Sequence, residues 1–149
     1  MLENKSIKEI STTDVISVHE NQNMSDVTAI FRENSLHHLP VLRGKKPIGI
    51  ISTQDVFKLI FNVDSSDHRM LDVLLDHTYK LSDVMTTKLV ILDDSATIKD
   101  VAKLLRDSSL HSVLVVDHKG DLTGIATTTD LIRYLHDNIG EEEDQAEQV

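Results

Sequence analysis

Gly49-Ile-Ile-Ser-Thr-Gln-Asp55 returns 75 residues later as Gly124-Ile-Ala-Thr-Thr-Thr-Asp130. Upstream, Thr12 to Leu42 lies on Thr86 to Val116 at a shift of 74, with Thr12/Thr86, Thr13/Thr87, Asp26/Asp100, Arg32/Arg106, Leu36/Leu110, His37/His111 and Val41/Val115 coinciding. One residue is inserted in the second copy between these stretches. A hydrophobic core does not by itself require His, Arg and Asp at fixed places, so a duplication that keeps them constrains function as well as packing. Two copies predict two equivalent sites about a pseudo-twofold axis.

Each copy reads strand, helix, strand, strand, helix. In the first, Val15-Ile-Ser-Val18 is a short β-branched strand. Met24, Val27, Ile30 and Phe31 recur at helical spacing, with Ser25 as the N-cap of a helix running to Asn34. Leu39 to Leu42 and Ile48 to Ile51 form a hairpin across Arg43-Gly-Lys-Lys-Pro47, and Thr53 to Phe61 is a second helix. In the second copy Leu89 to Leu92 is the strand, and Thr97-Ile-Lys-Asp100 is a capping box opening a helix to Asp107. Val113 to Val116 and Leu122 to Ala126 pair across His118-Lys-Gly-Asp121, and a last helix runs from Thr128 to about Asn138. Between the copies, Val63 to Asp67 is a turn cluster, and Leu71, Leu74 and Leu75 predict a bridging helix from His68 to His77. Residues 7–62 and 81–139 are thus the repeats, 63–80 a bridging helix and linker, and 140–149 an acidic disordered tail. The continuous apolar strands imply burial on both faces, and the small copies are expected to pack against each other through their sheets.

Composition narrows the function. The 149 residues hold no Cys, which removes disulfides, thiolate nucleophiles and zinc ribbons. No apolar run reaches the length needed to span a bilayer, and Met1-Leu-Glu-Asn lacks the features of a signal peptide, so the cytoplasm is the expected address and no membrane partner is expected. Of the net charge of −10, five negative charges fall on Glu141, Glu142, Glu143, Asp144 and Glu147. An acidic chain with few aromatics and no basic stripe argues against nucleic acid.

The tetrads Ser52-Thr-Gln-Asp55 and Thr127-Thr-Thr-Asp130 carry the chemistry. Each sets a hydroxyl and a carboxylate three residues apart, where a strand gives way to a helix. Free N–H groups and the partial positive charge of a helix N-terminus favour phosphate. A carboxylate one turn in suits the vicinal hydroxyls of a ribose, whose protons it accepts. The same spacing is also a capping box with no ligand at all. Both readings stand at this point.

Asp-Val-Met-Thr-Thr87 ahead of a strand, Leu36-His-His-Leu-Pro-Val-Leu42 and the two Gly-Ile closes with Ser/Thr-x-x-Asp together resemble the cystathionine β-synthase (CBS) domain family, paired as a Bateman module over residues 7 to 139. The resemblance implies an α+β fold: two CBS repeats, each a three-stranded sheet with two flanking helices, packed by their sheets about a pseudo-twofold axis. It also implies adenosyl ligands in clefts between the repeats. One cleft then sets Ser52 and Asp55 against Thr87, Leu89, His111, Ser112 and Val113. Its twin sets Thr127 and Asp130 against Thr13, Val15, His37, His38 and Leu39, and His37, His38 and His111 are expected near phosphates.

Departures from the family pattern shape the expectation. Proline after the Thr is replaced by Asp14 and Lys88, so Lys88 favours phosphate in one cleft and Asp14 opposes it in the other. The strand-opening Leu-Pro of the first copy becomes Val-Leu114 in the second. The familiar Arg beside the first His is His38 in one copy and Ser112 in the other, which favours a nucleoside or monophosphate over a polyphosphate.

The eight histidines show no metal-ligand spacing, so no metal or metal cofactor is expected. There is no nucleophile elbow and no P-loop, and Asp55 and Asp130 belong to separate symmetric sites. The expected function is a non-catalytic sensor of AMP, ADP, ATP or S-adenosylmethionine that transmits a conformational change to an unidentified regulated protein. Phe61 and Tyr134 are candidates for a homodimer surface. The alternative is a ligand-free dimerisation scaffold whose tetrads cap helices.

Overall fold

A two-residue strand opens the first sheet of the computed structural model, which describes residues 4–61, 67–106 and 110–147. The element order is a 3-10 turn (Ile7–Glu9), β1 (Val18–His19), α1 (Met24–Glu33), β2 (His38–Arg43), β3 (Lys46–Ser52), α2 (Thr53–Phe61), α3 (His68–Thr78) and α4 (Leu81–Val84). The second half continues with β4 (Ile91–Asp93), α5 (Ile98–Arg106), β5 (Ser112–Val116), β6 (Leu122–Thr127) and α6 (Thr128–Glu147). The fold is α+β, with two three-stranded sheets ordered β1-β2-β3 and β4-β5-β6, each flanked by helices.

In both sheets the first strand runs parallel to the second and the last two form an antiparallel hairpin. The duplication extends to irregularities: register shifts fall at Val41/Leu42 and at Val115/Val116, which are homologous positions. Beside the first bulge sits Pro47, a residue with no N–H to give a ladder, and a bulge is where a strand tolerates it. Pairing persists to Arg43↔Lys46, so the first hairpin turns in two residues, tighter than the reading over Arg43 to Pro47.

The chain divides into two compact units, but not at the repeat boundaries. Residues 16–89 form one, and residues 1–15 with 90–149 form the other. Each repeat's lead-in therefore belongs with the body of the other repeat. Thr86 exchanges two hydrogen bonds with Ile50 on the outer edge of β3, at 2.9 and 3.0 Å. Thr12 does the same with Ile125 on β6. These bridges occupy edges that would otherwise expose unpaired N–H and C=O groups.

Each unit has its own core. Val18, Met24, Val27, Leu39, Val41, Ile51, Val56, Leu71, Leu75 and Leu81 form one. Ile7, Ile10, Ile98, Val101, Leu105, Val113, Val115 and Ala126 form the other. The lead-ins contribute Leu81 to the first and Ile7 and Ile10 to the second. Three consecutive residues are buried in both β2 and β5, so both faces of these strands are covered, as their unbroken apolar runs require.

Several local expectations change. Pairing of β1 begins at Val18, not Val15, because the register on β2 starts with Val18 and His19. The N-cap of α1 is Asn23, whose N–H donates to Asp26 at 2.9 Å. Ser25 lies inside the helix, and its N–H and hydroxyl both bond Asp76 of α3, at 2.7 and 2.6 Å. The bridging helix is thus clamped onto α1, with Thr28 and Arg32 also donating to Asp72. The strand expected over Leu89 to Leu92 is registered on β5 from Ile91 to Asp93, with the Val90 carbonyl also accepting from the Leu114 N–H at 3.0 Å. Helix α6 stays helical past Gly140 to Glu147, since Glu, Gln and Ala are good helix formers, where the sequence suggested a frayed tail. Of the turn read over Val63 to Asp67, residues 63–66 lie outside the described residues, as does the α5 end read at Asp107.

Where Thr86 crosses β3, Gly49 allows the approach: a Cβ there would overlap Met85 Sδ and lie 2.7 Å from its Cγ. At Gly124 the nearest neighbour is the Thr12 carbonyl, 3.2 Å away, with Ser11, the homologue of Met85, at 3.4 Å. In urea denaturation, Gly49→Ala is expected to cost about 1–3 kcal/mol by overpacking. The same change should cost clearly less in a Met85→Ala background, and an equal penalty in both would show that Met85 is not the obstacle.

Candidate functional site

At the β3–α2 junction Ser52 is the N-cap residue and Asp55 the third residue of the helix. Asp55 Oδ2 accepts from the Ser52 N–H at 2.8 Å, and Ser52 Oγ accepts from the Asp55 N–H at 3.1 Å. The β6–α6 junction repeats this with Thr127 and Asp130 at 2.8 and 3.2 Å. Both tetrads complete the reciprocal capping box, so the structural reading of each is correct as far as it goes. Helix α5 provides a comparison, because Thr97 and Asp100 close the same box at 2.9 and 3.3 Å. Those bonds hold the Asp100 carboxyl below the usual carboxylate range, the backbone N–H of Thr97 contributing most.

What separates the α2 and α6 tetrads from the α5 box is their surroundings. His38 is registered opposite Ser52, and the Thr53 N–H donates to the His37 carbonyl at 3.0 Å. Ser112 is registered opposite Thr127, and the Thr128 N–H donates to the His111 carbonyl at 3.1 Å. The hairpin ladder therefore delivers a histidine, a hydroxyl and a carboxylate to one end of each unit. Asp55 and Asp130 are both partly buried, whereas Asp100 is exposed.

The unit of residues 16–89 holds Ser52, Asp55, Thr87, Leu89, His37, His38 and Leu39. The other holds Thr127, Asp130, Thr13, Val15, His111, Ser112 and Val113. Leu39 and Val113 are wholly buried in their cores, which leaves them only backbone groups to offer a ligand. The lead-in meets β3 at Ile50, two residues before Ser52, and then bends at Thr87, whose carbonyl accepts from the Leu89 N–H at 3.0 Å. Sequence reasoning passed over Arg133, whose Nη1 lies 3.7 Å from Asp130 Oδ1. Its homologue at the shift of 75 is Lys58, so the paired basic residue was a legible signal. Among the described residues no group of three or more His, Cys, Asp or Glu is placed to hold a metal ion. No helix among them is long and apolar enough to cross a membrane.

The CBS domain profile matches residues 7–62 and 81–137. The chain belongs to the CBS domain family. Protein MJ1426 of Methanocaldococcus jannaschii is 32% identical over 152 residues, spanning 87% of this chain and 90% of that protein. The chain spans only 33% to 48% of four further relatives from that organism. Among solved structures, the CBS domain pair of protein MJ0100, in complex with 5′-methylthioadenosine and S-adenosyl-L-methionine, superposes with a TM-score of 0.72 at 21% identity, over 88% of this chain and 99% of that one. CBSX2 of Arabidopsis thaliana in complex with AMP gives 0.73 at 24% identity, over 89% and 97%. At these identities the likeness establishes the fold, which is that of a tandem CBS pair.

The three boxes should be equivalent as caps. Ser52→Ala, Thr127→Ala and Thr97→Ala are each expected to cost about 1 kcal/mol in urea denaturation without ligand. A much larger loss at Ser52 or Thr127 than at Thr97 would mean that the CBS tetrads hold the fold by more than capping.

Proposed function

We propose that this CBS pair is a regulatory module that binds an adenosyl ligand, AMP, ADP, ATP or S-adenosylmethionine, and carries out no chemistry of its own. The observation that supports the reading is the twice-repeated placement of an N-cap hydroxyl and a carboxylate beside a histidine whose backbone carbonyl accepts from the first helical N–H. Capping alone does not need the histidine, as the α5 box demonstrates. The carboxylate accepts the two protons of a ribose diol, and the helix N-terminus beside it favours phosphate. The adenosyl ligands bound by MJ0100 and CBSX2 point in the same direction. Regulation then requires that the ligand bind two conformations of the module with different affinity, the favoured one being read by a separate regulated protein.

A thermal-shift panel with the four ligands tests this. A ligand at 100 times its Kd stabilises by about 2.7 kcal/mol through mass action. The shift should vanish in the Asp55→Ala/Asp130→Ala double variant and persist in Asp100→Ala, which loses a cap but no ligand group. If no ligand shifts the wild type, the sensor reading falls. The completed capping boxes would then favour the second reading, a ligand-free dimerisation scaffold.

Self-association is part of both readings. Phe57 and Phe61 on α2 are 63% and 80% exposed, with ring centroids 5.9 Å apart. On α6, Ile132, Leu135 and Ile139 are similarly exposed, and Ile132 is the homologue of Phe57. Tyr134, a sequence candidate for that surface, instead packs against the core of its unit and donates to Glu9 at 3.0 Å. Large apolar side chains presented at homologous places suit an isologous homodimer. Analytical ultracentrifugation should give a dimer for the wild type and a monomer for Phe57→Asp/Ile132→Asp; a monomeric wild type refutes the assignment.

A further inference from the structure

The two tetrads close the same box but commit different shares of their hydrogen-bonding capacity. Among the described residues Asp55 accepts only through Oδ2, from the Ser52 N–H, and its Oδ1 has no donor and no ion pair. The Ser52 hydroxyl accepts from the Asp55 N–H and, among the described residues, has no acceptor for its own proton. In α6 the Thr127 hydroxyl turns its proton onto Asp130 Oδ2 at 3.0 Å, beside the Thr127 N–H that already occupies that oxygen. Asp130 Oδ1 faces Arg133. Both oxygens of Asp130 are engaged, while one oxygen of Asp55 and one hydroxyl proton of Ser52 are open.

A vicinal diol brings two donors and needs two acceptor positions on a carboxylate. At Asp55 it finds them without displacing anything. At Asp130 the same diol competes with the Arg133 guanidinium and with the Thr127 hydroxyl. We propose that the two sites are unequal: the diol binds first at Asp55, and Arg133 is the specificity-determining residue that holds the Asp130 site back. This deepens the adenosyl-ligand reading and rests on it. The side chains of Arg133 and Asp130 are 67% and 14% exposed, so the competition is worth roughly two- to five-fold in affinity. For a phosphate-bearing ligand the lead-ins act in the same sense. Lys88 belongs to the unit of Asp55, and Asp14 to the unit of Asp130.

Isothermal titration of the full chain with AMP distinguishes the sites. Wild type should show a stronger and a weaker class. Asp55→Asn keeps an oxygen for the cap but removes one acceptor, and should weaken the stronger class at least about ten-fold, the loss expected when one partner of a charged hydrogen bond is removed. Asp130→Asn should affect only the weaker class, and Arg133→Gln should tighten that class about two- to five-fold. Equal classes in the wild type, loss of the stronger class in Asp130→Asn, or weaker binding in Arg133→Gln would each overturn the inequality while leaving the adenosyl reading intact. An absence of heat with AMP, ADP, ATP and S-adenosylmethionine on the wild type overturns both.

Discussion

The bridge between each lead-in and the far repeat's last strand is the constraint on which the two units depend. Strands β3 and β6 are edges of three-stranded sheets, and each is met by a segment that precedes the opposite repeat. The hydrogen bonds are few, but they bring apolar residues with them. Leu81 enters one core, and Ile7 and Ile10 enter the other. Burial of such side chains contributes about 1.5–3 kcal/mol each, so these segments are structural members and not tethers. Glycine at positions 49 and 124 is the local condition for the crossing.

The same strands that receive the lead-ins also place the polar ends of the units. β3 and β6 run directly into α2 and α6, and of their hairpin partners β2 begins with His38 and β5 begins directly after His111. Register thus couples edge protection to site geometry: a slip of one residue would turn Ser52 or Thr127 to the other face. Fixed bulges at Val41/Leu42 and Val115/Val116 hold that register. The polar groups at the junctions satisfy the helix ends first, and what they have left over is what a ligand can use. In that respect the two halves, alike in sequence, differ chemically.

Much of this was legible in the sequence because it is local. Thr53 to Phe61 is helical as its spacing predicts, since Ser52 and Asp55 announce the N-terminus within four residues. The hairpins and the duplicated closes are readable for the same reason. What the sequence concealed depends on distant partners. Ser25 has every attribute of an N-cap, but Asp76, 51 residues away, claims it. Val15 to Ser17 have the composition of a strand but no strand partner among the described residues. The destination of residues 79–89 could not be inferred from periodicity, although the glycines at 49 and 124 mark where another backbone must pass. The inequality of Asp55 and Asp130 was equally hidden, because both acids have a basic residue three positions on and the approach of Arg133 to Asp130 is a matter of side-chain geometry.

The traded lead-ins also bear on ancestry. A solitary ancestral repeat folding by this plan would have had to lend its leading segment to a second molecule and borrow one in return. Two such chains form a reciprocally swapped pair, and joining their genes end to end makes the loan internal without altering a contact. In the chain as it stands, cutting at the sequence repeat leaves two incomplete pieces, each parted from the lead-in that completes its core.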